Sequence, residues 1–137
     1  MFIYPVRIEL GPSGAHAWLV DWPEVKCPAC ARPLVSIRKQ LVGGVRERMS
    51  AGLPIPLPKA RRGQYVVSLD FQASLKMLVH NEIVASPCTY GGVARKMHMS
   101  EHDLRCTLDV LSPGNVDLLA DVMATFGKRF VAYAVPD

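Results

Sequence analysis

Three prolines in five residues, Pro54, Pro56 and Pro58, divide this 137-residue chain and stop any single helix or central strand from running through its middle. Proline has no backbone donor and fixes φ at about −65°. Gly52-Leu53-Pro54-Ile55-Pro56-Leu57-Pro58, continued by Lys59-Ala60-Arg61-Arg62-Gly63, therefore reads as an extended connector. The division that follows is residues 1–52 as one module, 53–63 as a Pro-rich basic linker and 64–137 as a second domain.

Ahead of the connector, Phe2 to Leu10 alternates in polarity, Gly11-Pro12-Ser13-Gly14 is turn chemistry, and Ala15 to Trp22 is a second apolar run. The pattern predicts a hairpin. Pro23, Pro28 and Pro33 then interrupt regular structure until Leu34, where Leu34, Val35, Ile37, Leu41, Val42, Val45 and Met49 recur at helical spacing. A helix over 34–50 packed on the hairpin follows, with Gly43 and Gly44 inside it as signs of close approach to the sheet.

Beyond the connector, Gln64 to Leu69 has strand character, Asp70 is placed to cap a helix carrying Leu75, Leu78, Val79, Glu82 and Ile83, and Ser86-Pro87 ends it. Asn115 caps another helix through Val116, Leu119, Val122, Met123 and Phe126, stopped at Gly127. Phe130 to Val135 reads as a terminal strand.

The segment Thr89 to Leu108 lies between those helices. A helix-turn-helix requires a small residue where its helices cross, a tight turn about four residues on, and apolar residues beneath the second helix. Ala94, His98 and Leu104 stand at these stations, with Val93, Met97, Met99 and Leu108 as further buried positions and Ser100 as a cap. The pattern predicts binding to double-stranded DNA. Ser100, Glu101, His102 and Arg105 are the candidates for base edges, with Arg105 suited to guanine; Arg95 and Lys96 are candidates for phosphate. A helical hairpin with no DNA role would share the pattern. His98 occupies a left-handed position that glycine usually fills, and Glu101, Asp103 and Asp109 put negative charge beside the site.

Taken together, these pieces resemble the HicB antitoxins of bacterial toxin-antitoxin systems, in the subgroup with a helix-turn-helix tail. The N-terminal part of the resemblance rests on Tyr4-Pro5-Val6-Arg7-Ile8-Glu9 and on Asp21-Trp22-Pro23-Glu24, which is similar to the family's D-x-P-G element. The second half carries more of it: Gly52-Leu53-Pro54-Ile55-Pro56, Ser68-Leu69-Asp70, His80-Asn81-Glu82, Val93-Ala94-Arg95-Lys96-Met97, Leu108-Asp109 and Phe126-Gly127-Lys128-Arg129-Phe130. The resemblance implies an α+β protein, with a small partial ribonuclease-H-like module followed by a helix-turn-helix domain with short flanking strands. It further implies neutralisation of a HicA-like, mRNA-cleaving toxin and repression of the operon. Asp21, Trp22, Pro23 and Arg38 are the toxin-facing candidates. Glu24 stands where the family usually has glycine.

Charge and cysteines set the competing possibilities. Between Arg32 and Arg62 there are eight basic residues against one acidic residue, Glu47, within a chain of net charge +4. That concentration suits a polyanion or an acidic partner, and a solvated helix face would look the same. Cys27-Pro28-Ala29-Cys30 is a single CxxC knuckle without a second, while Cys88, Cys106, His16 and His80 are scattered, so idle thiols rather than zinc are expected and no cofactor. Glu9, Asp21 and Glu24 are too few and too close to a turn for a two-metal nuclease. An enzyme is not expected. Without an export signal or an apolar run long enough to span a membrane, the expected compartment is the cytoplasm. A homodimer or higher homo-oligomer is expected, because half-sites are read in pairs and the strands at 64–69 and 130–135 offer edges that can pair between chains. A helix-turn-helix regulator that senses a small ligand and has no toxin partner is the alternative, and a protein-interaction module is a further one.

Overall fold

A computed structural model describes residues 1–59 and 63–136; Arg61 and Arg62 of the basic stretch and the terminal Asp137 lie outside the described residues. The protein is α+β. The described residues form strands β1 (Ile3–Gly11), β2 (Gly14–Leu19) and β3 (Lys26–Cys30), helix α1 (Pro33–Ala51), strand β4 (Tyr65–Ser68), and helices α2 (Phe71–Ala85), α3 (Tyr90–Lys96), α4 (Glu101–Leu108) and α5 (Val116–Ala124).

The hairpin closes through Pro12-Ser13 with Gly11 opposite Gly14, whose φ of 128° is open to glycine and strained for any other residue. The sheet is antiparallel throughout, in the order β3-β2-β1-β4. β4 comes from beyond the connector yet pairs with β1, so the sheet is completed by a segment that the sequence reading gave to the second domain.

Along α1, Ile37, Leu41, Val45 and Met49 fall on one face and bury themselves against Tyr4, Val6, Ala17 and Leu19 of the sheet. Leu34 and Val35, counted on that stripe by spacing, stay 39% and 51% exposed instead, because they sit where the helix overhangs the β4 edge. A Cβ on Gly44 would stand 3.2 Å from the Trp22 ring and 3.3 Å from Val25, whereas Gly43 faces open space. Close approach accounts for one of the two glycines. The helix ends at Gly52, left-handed at φ 67°, whose N–H and that of Leu53 return to the carbonyls of the last turn.

The connector is docked, in contrast to the free linker its composition suggests. Ile55 is 2% exposed, the Tyr4 hydroxyl donates to the Pro56 carbonyl at 2.8 Å, and the Lys59 N–H donates to Asp21 at 2.8 Å. His80-Asn81-Glu82 provides the other half of this docking. His80 Nε2 lies 2.7 Å from the Leu53 carbonyl and Asn81 bonds both backbone groups of Ile55, whereas Glu82 turns away from the connector and accepts from Lys128 at 2.8 Å.

Two apolar clusters result, and α2 is the wall between them. Ala73 and Met77 belong to the first with α1 and the sheet; Leu75, Val79 and Ile83 belong to the second with α3, α4 and α5. Phe130 to Val135 forms no strand. The described residues 128–136 are irregular, because no sheet edge of their own chain pairs with them. No helix among the described residues is long and apolar enough to cross a membrane.

Candidate nucleic-acid interface

Each helix of the candidate reader starts on a side-chain cap. Thr89 accepts from the Gly92 N–H at 3.1 Å to begin α3, and Ser100 accepts from the Asp103 N–H at 3.0 Å to begin α4. Between them His98 is the chain's one described non-glycine residue with positive φ, at 55°, and the Met99 N–H returns to the Ala94 carbonyl at 3.0 Å. Val93, Ala94, Leu104 and Leu108 are buried in the second cluster. The three stations read from the sequence thus adopt a helix, a left-handed turn and a helix.

With Leu104 and Leu108 inward, the opposite face of α4 presents His102 and Cys106, four residues apart and joined at 3.5 Å from Nε2 to Sγ. Arg95 and Lys96 are exposed in the last turn of α3. Ser100 spends its hydroxyl on the cap. Glu101 and Arg105 hold one another at 3.1 Å, and the Arg105 guanidinium lies over the Tyr90 ring at 4.2 Å from its centre. Arg105 therefore turns from the outward face toward α1. There it lines a cleft of about 440 Å³ with Arg46, Met49, Tyr90, Leu108 and Asp109, and Arg46 pairs with Asp109 at 3.2 Å. Of the six DNA candidates, Arg95, Lys96 and His102 are exposed and held only by local contacts, to the Gly91 carbonyl, Cys88 Sγ and Cys106 Sγ.

Behind the reader lies a polar relay. The Tyr90 hydroxyl meets His80 Nδ1 in a short hydrogen bond, and His80 Nε2 meets the Leu53 carbonyl. A carbonyl can only accept, so Nε2 carries the proton and Nδ1 accepts from the phenol: a neutral imidazole satisfies both partners. Burial holds the His80 pKa below its ordinary value; the Leu53 carbonyl opposes this and Arg105 adds to it. Burial pushes Tyr90 up to about 12, against the pull of Arg105.

Lys76, 1% exposed, spreads its three donors over the Asp109 carbonyl, the Ser112 carbonyl and the Ser112 hydroxyl at 2.8, 2.8 and 3.1 Å. It pins the chain that leaves α4. Sequence reading missed Lys76, Tyr90 and Cys106. Only Cys106 carried a visible signal, its four-residue spacing from His102.

The toxin-facing candidates scatter. Trp22 is 4% exposed and packs on Gly44, with Arg48 5.7 Å from its ring, so it is a core residue and offers no ring to a partner. Asp21 holds Lys59. Pro23 and Arg38 are exposed, on a turn and on α1. All four cysteines are free thiols; Cys30 donates to the Ala15 carbonyl at 3.3 Å, and among the described residues no three His, Cys, Asp or Glu side chains group as metal ligands. No protein-family model matches the chain, and no curated protein matches it.

Proposed function

We propose that the protein is an antitoxin and repressor similar to the HicB family. In this reading it binds operator duplex DNA through α3 and α4 as a dimer, and neutralises a HicA-like, mRNA-cleaving toxin through its N-terminal sheet and α1, in the cytoplasm. The observation that carries the DNA half is the left-handed turn at His98 between buried Ala94 and Leu104. Arg95 and Lys96 contact phosphate and set affinity; His102 reads base edges from the outward face of α4. Arg105 reaches a guanine by leaving Glu101 and Tyr90. An exposed ion pair and a ring contact hold it by about 1–2 kcal/mol. A bidentate guanine contact is worth about 1–3 kcal/mol of discrimination against the wrong base, the same order as that hold, so the move favours guanine.

The toxin half rests on the resemblance. Its support is that Gly52-Leu53-Pro54-Ile55-Pro56 and His80-Asn81-Glu82, two separate stretches that carry the likeness, bind one another through Leu53 and Ile55. Two measurements test the two halves separately. Retardation of the protein's own promoter fragment, outlasting excess random DNA, is expected; its absence at micromolar protein rejects the DNA half. Co-expression is expected to relieve growth arrest by the adjacent toxin gene; unrelieved arrest rejects the toxin half.

The cleft between α1 and α4 favours a second reading, a ligand-sensing regulator without a toxin. Its lining joins Met49 and Leu108 to Arg46 and Arg105, and Arg105 is also a DNA candidate. Operator affinity that follows a small molecule, in a chain with no toxin partner, would select this reading.

A further inference from the structure

We propose that residues 130–135 of one copy add as a fifth strand to the outer edge of β4 in a second copy, and reciprocally, so that two chains form a strand-exchanged dimer. This deepens the dimer named above and depends on neither DNA nor toxin.

The edge is open and unprotected. The Leu69 N–H donates to the Phe2 carbonyl at 3.1 Å, and in an antiparallel ladder bonded residues alternate, so Tyr65 and Val67 face β1. Val66 and Ser68 then aim their peptide groups outward, where no described residue pairs with them. Soluble proteins usually blunt such an edge with charge or proline. Tyr65-Val66-Val67-Ser68 has neither.

Beside this edge runs a groove of about 930 Å³, lined by Leu34, Val35 and Val42 of α1 with Val66, Phe71 and Leu111, and also by the charged residues Arg38, Lys39 and Asp70. Val35, Val66, Phe71 and Leu111 are 51%, 42%, 45% and 64% exposed, so four large apolar side chains of one groove face water, as at an interface.

The chain itself carries the matching piece. Phe130-Val131-Ala132-Tyr133-Ala134-Val135 is rich in strand formers, has no charge, glycine or proline, and pairs with no strand among the described residues. Val131, Tyr133 and Val135, which alternate as one strand face does, are 75%, 83% and 71% exposed. Phe130 is partly buried in the second cluster and lies with Met1 and Phe71, the two residues that also line the groove. Val131 and Ala132 share the cavity that Phe130 lines, beside Leu75, Leu78 and Met123, and Tyr133 to Val135 continue from it as an exposed run with no turn residue inside the segment. Covering the tail buries Tyr133, worth about 150–250 Å² of ring surface, with Val131 and Val135, and the reciprocal exchange does so twice.

The test uses the full chain, with circular dichroism to check each variant's fold. Sedimentation across low to high micromolar concentration is expected to give a dimer. Tyr133→Asp on the tail and Ser68→Pro on the edge are each expected to weaken it at least about tenfold. An equimolar mixture of the two variants recovers association, because one intact tail meets one intact edge. Hydrogen exchange is expected to show Val66 and Ser68 amides protected in the dimer and unprotected in Tyr133→Asp. A chain that stays monomeric, a dimer indifferent to both folded variants, or protection independent of concentration would overturn the proposal. So would protection that arises only with toxin or DNA present.

Discussion

The side-chain amide of Asn81 hydrogen-bonds the backbone of Ile55 in both directions, accepting from its N–H at 2.8 Å and donating to its carbonyl at 2.9 Å. One side chain on α2 thus plays the part of a neighbouring strand for a connector that has none. Asn81→Ala removes both bonds and is expected to cost about 1–3 kcal/mol, read as a lower denaturant midpoint at unchanged slope. Asn81→Asp keeps the acceptor and loses the donor, leaving the Ile55 carbonyl to face a carboxylate. It should fare no better than alanine.

His80 makes stability depend on pH in one direction. Folded, the imidazole is neutral between Leu53 and Tyr90 and its pKa is depressed, chiefly by burial. Unfolded, it takes up a proton near pH 6.5. Below that value the unfolded chain holds more protons than the folded one, so this contribution is complete above about pH 6.5 and is lost as the pH falls toward the folded pKa. Denaturation midpoints measured from about pH 7.5 down to about pH 5 should fall in the wild type and fall less in His80→Gln. Equal slopes for the two proteins would remove His80 as the source.

Lys96→Ala is expected to weaken binding to every DNA sequence alike and to lower the salt dependence by about one counterion. Arg105→Ala should instead cost about 1–3 kcal/mol at one base pair and leave random DNA nearly unaffected. Titrations of operator and scrambled duplexes at several salt concentrations separate these outcomes. Equal loss on both duplexes for Arg105→Ala would leave the arginine to its place over Tyr90.

Adjacent glycines in α1 should respond in opposite senses. A Cβ at Gly43 meets nothing, so Gly43→Ala gains helix propensity of about 0.5–1 kcal/mol. At Gly44 the same methyl presses on Trp22 and Val25, both fixed in the core, and the crowding costs about 1–3 kcal/mol against that gain. Thermal midpoints of the two variants test the contrast.

What the sequence disclosed was local. The hairpin, the periodicity of α1 and the caps at Asp70, Ser100 and Asn115 depend on residues within a turn or two of one another, and so does the left-handed turn at His98. What it withheld depends on distant partners. The resting place of Arg105 over Tyr90 was hidden, because Tyr90 lies fifteen positions earlier, on another helix. Trp22 read as a surface residue because the pocket that takes it is the space left by Gly44. The connector read as a boundary because prolines conceal that its carbonyls already have donors on α2. Phe130 to Val135 has the composition of a strand, but a strand also needs a ladder, and composition cannot supply a neighbour.

Because α2 lends Ala73 and Met77 to one cluster and Leu75, Val79 and Ile83 to the other, neither half can loosen without moving a wall of its neighbour. A fragment ending at Gly52 would lose β4, Ile55 and Met77 together and bare Tyr4 to water, so the chain resists being cut into two working parts. A displacement of α2 therefore moves apolar side chains of both clusters at once, and the two halves are expected to unfold in one step.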